Sequence, residues 1–130
     1  MPEAMVVGCR ETAAGGIDPA DCARLAEVGS GCDAVLIGPG MMDEAAVAEL
    51  TGELLKRLET RVFVLDAAAF ATLELGEMPA RCAGKIVATP HSGEMAKFLN
   101  LPREQIDEAP LLAARRAAAG SVGRWIRSLR

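Results

Sequence analysis

The stretch Arg61-Val-Phe-Val-Leu-Asp66 decides the fold. Four apolar residues in a row, closed by an aspartate, do not alternate with polar positions. A run of that length and pattern reads as a strand buried on both faces, as in a parallel sheet. Working outward, Asp33-Ala-Val-Leu-Ile-Gly38 and Lys85-Ile-Val-Ala-Thr89 read the same way, and Met5-Val-Val-Gly-Cys9 is a fourth candidate. Amphipathic segments separate them. Asp18-Pro19 is a helix entry, with a cap followed by proline at the first helical position, and its helix should stop near Gly29. Asp43 caps the next helix, in which Val47, Leu50, Leu54, Leu55 and Leu58 share one face. Shorter helices are expected over 67–74, 92–100 and 110–119. Strand and helix in alternation predict an α/β fold: a parallel sheet with right-handed crossovers and helices on both faces.

Length and composition bound the function. The 130 residues are just under one typical domain, and 51% are hydrophobic, although 24 of them are alanine. No apolar run approaches the ~18 residues of a membrane span. The opening Met1-Pro2-Glu3-Ala4-Met5 lacks the basic-then-apolar layout of a signal peptide, so a cytoplasmic protein is expected. Cys9, Cys22, Cys32 and Cys82 include no Cys-x-x-Cys pair, and the single histidine, His91, cannot complete a zinc set. They read as reduced, mostly buried thiols, with no metal site. The net charge of −4 is uneven, because the last twenty residues hold five arginines and no acid. The acidic body argues against nucleic acid as a partner.

Three loops each follow the C-terminal end of an expected strand, the edge at which open parallel sheets bind ligands. Gly38-Pro39-Gly40 lets backbone approach a ligand closely, or is a plain strand-to-helix turn. Asp66 either caps a helix or holds a ligand hydroxyl or a metal-bound water. Thr89-Pro90-His91-Ser92-Gly93-Glu94 brings a histidine, a hydroxyl and a carboxylate to one helix entry. Capping and the helix dipole account for Ser92 and Glu94 without a ligand. His91 does not sit on an apolar face and reads as exposed at the sheet edge.

In this order and spacing, Gly38-Pro39-Gly40, Val64-Leu65-Asp66-Ala67 and Thr89-Pro90-His91-Ser92-Gly93-Glu94-Met95 resemble the NAD(P)H-hydrate dehydratases. These are lyases of the ribokinase-like, or carbohydrate kinase, type. The likeness runs from about Pro2 to Ala119. It implies a cytoplasmic enzyme of metabolite repair that uses ATP or ADP, with Mg2+, to return hydrated NADH or NADPH to the working cofactor. It also implies a substrate site lined by Gly38, Pro39, Gly40, Asp66, His91, Ser92, Gly93 and Glu94. The family's second aspartate is Ala68 here, and Met42 stands near an expected glycine.

The family's Lys-Gly nucleotide loop and Gly-Ser-Gly-Asp motif are not in these 130 residues. Residues 1–119 therefore read as the central part of the domain, unable to turn over alone, and 120–130 as a basic tail. In that tail Val122, Trp125, Ile126 and Leu129 would share one face of a short docked helix. Two other readings stay open. One is a non-catalytic binding or assembly module, in which unpaired strand edges favour a homo-oligomer. The other is a fragment of a sugar or vitamin kinase, since a shared fold does not fix substrate.

Overall fold

A computed structural model of the chain describes residues 3–71, 79–119 and 126–128. A 3-10 turn at Pro19–Asp21 leads into α1 (Cys22–Gly29), and the chain continues through β1 (Ala34–Ile37), α2 (Glu44–Arg57), β2 (Val62–Leu65), α3 (Ala67–Ala71) and β3 (Ile86–Ala88). After β3 come α4 (Ser92–Leu99), α5 (Arg103–Glu108), α6 (Pro110–Ala119) and β4 (Ile126–Ser128). All neighbours in the sheet are parallel, in the order β1-β2-β3-β4.

The parallel sheet stands where the three apolar runs lie, but the helix layer differs from expectation. A sheet whose parallel strands follow one another in sequence winds in one direction. Right-handed crossovers then place every connecting helix on the same face. The register shows the result. Val35 aligns with Phe63 and Ile86, and Ile37 with Leu65 and Ala88. Five of these six side chains are buried and the sixth, Val35, packs against them. The intervening row of Leu36, Val64 and Val87 is not covered by the core, and Leu36 is 61% exposed. Among the described residues the helices thus lie on one face, not two, and the strands are buried on one side only.

The core is assembled from that single face. All five apolar positions read from the α2 periodicity are buried, together with Phe70 of α3. A second cluster joins Met95 and Ala96 of α4 to Ile106 of α5 and to Ala113 and Ala117 of α6. Phe98 connects the two, its ring centroid 5.1 Å from that of Phe70. The α5 helix was not legible in the sequence because Arg-Glu-Gln-Ile-Asp-Glu carries one apolar residue and hence no period.

Two terminal segments also differ. Residues 5–9 form no strand; the segment is anchored instead by Arg10, whose N–H and guanidinium both donate to Asp21 (2.7 and 3.0 Å). At the other end, Ile126–Ser128 is strand rather than helix, aligned with Ile86–Ala88. The free edge of β3 offers unpaired N–H and C=O groups, and a short segment gains more by pairing there than by forming an isolated turn of helix. Trp125 and its expected burial lie outside the described residues.

Candidate functional site

The ladder brings the three loops to one level. Ile37, Leu65 and Ala88 are register partners, so Gly38, Asp66 and Thr89 leave the sheet side by side at its C-terminal edge. At ~4.8 Å per strand, the site spans roughly 10 Å from Gly38 to Thr89. Backbone bonds carry the ladder one step into the loops: Asp66 N–H donates to the Ile37 carbonyl (3.0 Å) and Thr89 N–H to that of Leu65 (3.2 Å).

Gly38 is where the first two loops meet. Its φ is 128°, and a Cβ there would collide with the Asp66 carbonyl oxygen. Glycine is therefore required on two counts, backbone conformation and contact. Met41 N–H closes the turn on the Gly38 carbonyl (3.1 Å), and Gly40 takes a φ of 73°. Asp66 is half-buried, and the next residue, Ala67, adopts a φ of 45° that L-residues avoid. A left-handed alanine beside a candidate ligand group is the kind of strain that collects at binding sites.

The turn after Gly40 is held from outside the loops. Asp43, itself left-handed at a φ of 66°, caps α2 by accepting from Ala46 N–H (3.2 Å), as its sequence position implied. Its other carboxylate oxygen accepts from the Thr12 hydroxyl at 2.6 Å. The Thr12 bond, then the Ala46 N–H, hold the Asp43 carboxyl below its ordinary range. Nothing in the spacing of Thr12 announced this bracket.

The third loop is a capping box. His91 is the N-cap of α4, and Ser92, a natural candidate for that role, is instead the first helical residue. The His91 Nδ1 accepts from Gly93 N–H (3.0 Å) and Glu94 N–H (3.3 Å), while Glu94 Oε2 accepts from His91 N–H (2.9 Å). His91 is exposed, as expected, and Pro90 behind it is buried. The Thr89 hydroxyl oxygen is buried with no hydrogen-bond partner among the described residues.

The thiols lie apart from this edge in chemistry. Cys22 and Cys82 are buried, and burial pushes both thiols above their ordinary range, which keeps them protonated and poor nucleophiles. Cys32 is exposed, so the expectation of mostly buried thiols holds for only two of the four. A cavity of about 620 Å³ opens at the opposite, N-terminal edge of the sheet, bordered by Asp33, Arg61 and Lys85. Among the described residues no group of three His, Cys, Asp or Glu side chains could hold a metal ion, and no helix is long and apolar enough to cross a membrane.

With this geometry in view, comparisons with known proteins are specific. The family model for NAD(P)H-hydrate dehydratase matches residues 1–123. An ADP-dependent (S)-NAD(P)H-hydrate dehydratase from Xanthomonas campestris is 36% identical over 113 residues, which is 85% of this chain and 36% of that protein. A bifunctional NAD(P)H-hydrate repair enzyme from Moorella thermoacetica is 36% identical over 122 residues, covering 89% of this chain and 22% of its own length. A solved ribokinase-like superfamily protein from Enterococcus faecalis superposes with a TM-score of 0.63 at 25% identity, over 78% of this chain and 35% of that one. The chain thus spans about a third or less of the length of these relatives. The family model nevertheless covers residues 1–123, and the chain belongs to the NAD(P)H-hydrate dehydratase family, with a ribokinase-like fold.

Proposed function

We propose that this chain carries the substrate-binding loops of an NAD(P)H-hydrate dehydratase. Gly38, Pro39, Gly40, Asp66, His91, Ser92, Gly93 and Glu94 would line the hydrated nicotinamide ring of NADH or NADPH. The observation that carries this reading is the packing of Gly38 against the Asp66 carbonyl, level with the His91 loop. It makes one edge-wide surface out of three loops that are distant in sequence. The reaction in such a site converts the hydrate hydroxyl to a phosphate ester at the expense of ATP or ADP. Loss of phosphate and of a proton from the adjacent carbon then restores the ring double bond. The ADP dependence named for the Xanthomonas relative supports a nucleotide as co-substrate; Mg2+ would neutralise the phosphates of that nucleotide. Residues 1–119 would be the central part of that domain, working in the cytoplasm without nucleic acid or membrane as partner.

The test is binding and turnover by the 130-residue chain. Saturation-transfer NMR should show the hydrated dinucleotide, but not ATP, in contact with the protein. Absorbance recovery at the reduced-nicotinamide band should stay at the uncatalysed rate. Tight ATP binding without dinucleotide binding would reverse the loop assignment. A second reading, an assembly module, is favoured by one observation: in the row of Leu36, Val64 and Val87, Leu36 is exposed and the two valines are only half-buried. The two readings are compatible if the open face is where copies associate.

A further inference from the structure

We propose that Glu94 and Gly93 are positioning residues that hold the His91 ring in its Nε2–H tautomer, so that His91 meets a ligand with its ring lone pair already engaged and not as a proton acceptor. A ring nitrogen that accepts hydrogen bonds cannot itself carry a proton. Nδ1 accepts two, from Gly93 N–H and Glu94 N–H. The ring hydrogen therefore sits on Nε2, which lies 3.3 Å from Glu94 Oε1. The second oxygen of the same carboxylate accepts from the His91 backbone N–H. One glutamate thus bonds the histidine at its main chain and stands beside the far end of its ring.

Gly93 makes the room. A Cβ at that position would lie 3.0 Å from His91 Cε1 and 3.2 Å from Nδ1, tight enough that the ring would have to give way from its present place. Packing does not impose the arrangement, because the His91 side chain is 65% exposed. Hydrogen bonds do. The lone pair of the imidazole is thereby spent on the N-terminus of α4. This assignment stands whatever the loop binds.

His91 is the only histidine, so ring nitrogen-15 spectra report it alone. At about pH 8, where an ordinary imidazole is neutral, the wild type should show Nδ1 at the unprotonated position and Nε2 at the protonated one. Gly93→Ala and Glu94→Ala should each move both resonances toward their common average. Glu94→Gln, which keeps one acceptor oxygen, should stay nearer the wild type. Alanine for glycine ordinarily strengthens a helix, so a purely structural role for Gly93 expects a higher melting midpoint and an unchanged ring spectrum. Averaged or Nδ1-protonated resonances in the wild type would overturn the proposal, as would variants whose ring spectra match it. A fixed tautomer in a chain that binds no hydrated dinucleotide would sink the dehydratase reading and leave this one standing.

Discussion

The Thr12 hydroxyl donates to the Asp43 carboxylate at 2.6 Å, across 31 residues of sequence, and ties the N-terminal segment to the turn that leaves β1. The same carboxylate caps α2, so one side chain both fixes the entry of the helix and joins it to the N-terminal segment. Hydrogen bonds to the ionised form lower the folded pKa of Asp43 below its unfolded value. The sign follows. Its contribution is fully present above the unfolded pKa of about 3.9 and is lost as pH falls through the lower folded value. Asp43→Asn should therefore lower the melting midpoint at pH 7 and flatten the loss of stability below about pH 4. Thr12→Val should lower the midpoint less, because the Ala46 bond remains. Equal acid sensitivity in the wild type and Asp43→Asn, read from melts at several pH values, would reject this assignment.

Gly38→Ala should be severe. The added methyl meets the Asp66 carbonyl oxygen, and a φ of 128° is open only to glycine. Both effects act at once, so a loss of about 3 kcal/mol or more is expected. Gly40→Ala meets nothing within 4 Å and strains only the backbone, so about 1 kcal/mol is expected. Urea titration of the two variants separates them. If they unfold at the same midpoint, close contact between the loops is not what fixes Gly38.

Much of this fold was legible because burial writes itself into sequence. The runs ending at Gly38, Asp66 and Thr89 became three adjacent strands, and all five apolar positions read from the α2 period are buried. What failed to show was whatever one face or one partner decides. Leu36, Val64 and Val87 are as apolar as their neighbours, so the pattern implied a helix layer that the strand order does not supply. The cap of α4 fell to His91 rather than Ser92 because a ring nitrogen one atom further out than a serine hydroxyl can still reach the N–H groups of Gly93 and Glu94. Local preference names a serine; the missing Cβ at Gly93 leaves the imidazole its place.

Two buried threonines provide an internal control. Thr51 is 2% exposed in α2, and its hydroxyl has no partner among the described residues. Thr60 is 4% exposed, and its hydroxyl donates to the Cys32 carbonyl at 3.0 Å. Valine has nearly the same shape without the hydroxyl. Thr51→Val should stabilise by about 1 kcal/mol, since it removes an uncompensated polar group. Thr60→Val should destabilise by about 1 kcal/mol, since it leaves a carbonyl unpaired. Chemical denaturation of both variants should give shifts of opposite sign, and a shared sign would contradict the hydrogen-bond assignment.

Leu36 is the last position with a clear expectation. It lies on β1, an outer strand of the sheet, and it is 61% exposed in a row whose other members, Val64 and Val87, are only half-buried. Exposed apolar surface on a sheet beside an outer strand edge favours association between copies. Because Leu36 contributes little to the core, replacing it should leave the monomer fold intact, within about 0.5 kcal/mol. A charge at that point would nonetheless have to be desolvated in any face-to-face contact. Leu36→Lys should therefore shift sedimentation of the wild type from a concentration-dependent oligomer toward a monomer, with an unchanged far-ultraviolet spectrum. Wild-type protein that sediments as a monomer at every concentration would show that the open face does not serve as a contact between copies. Loss of the folded spectrum in the variant would show instead that Leu36 belongs to the core.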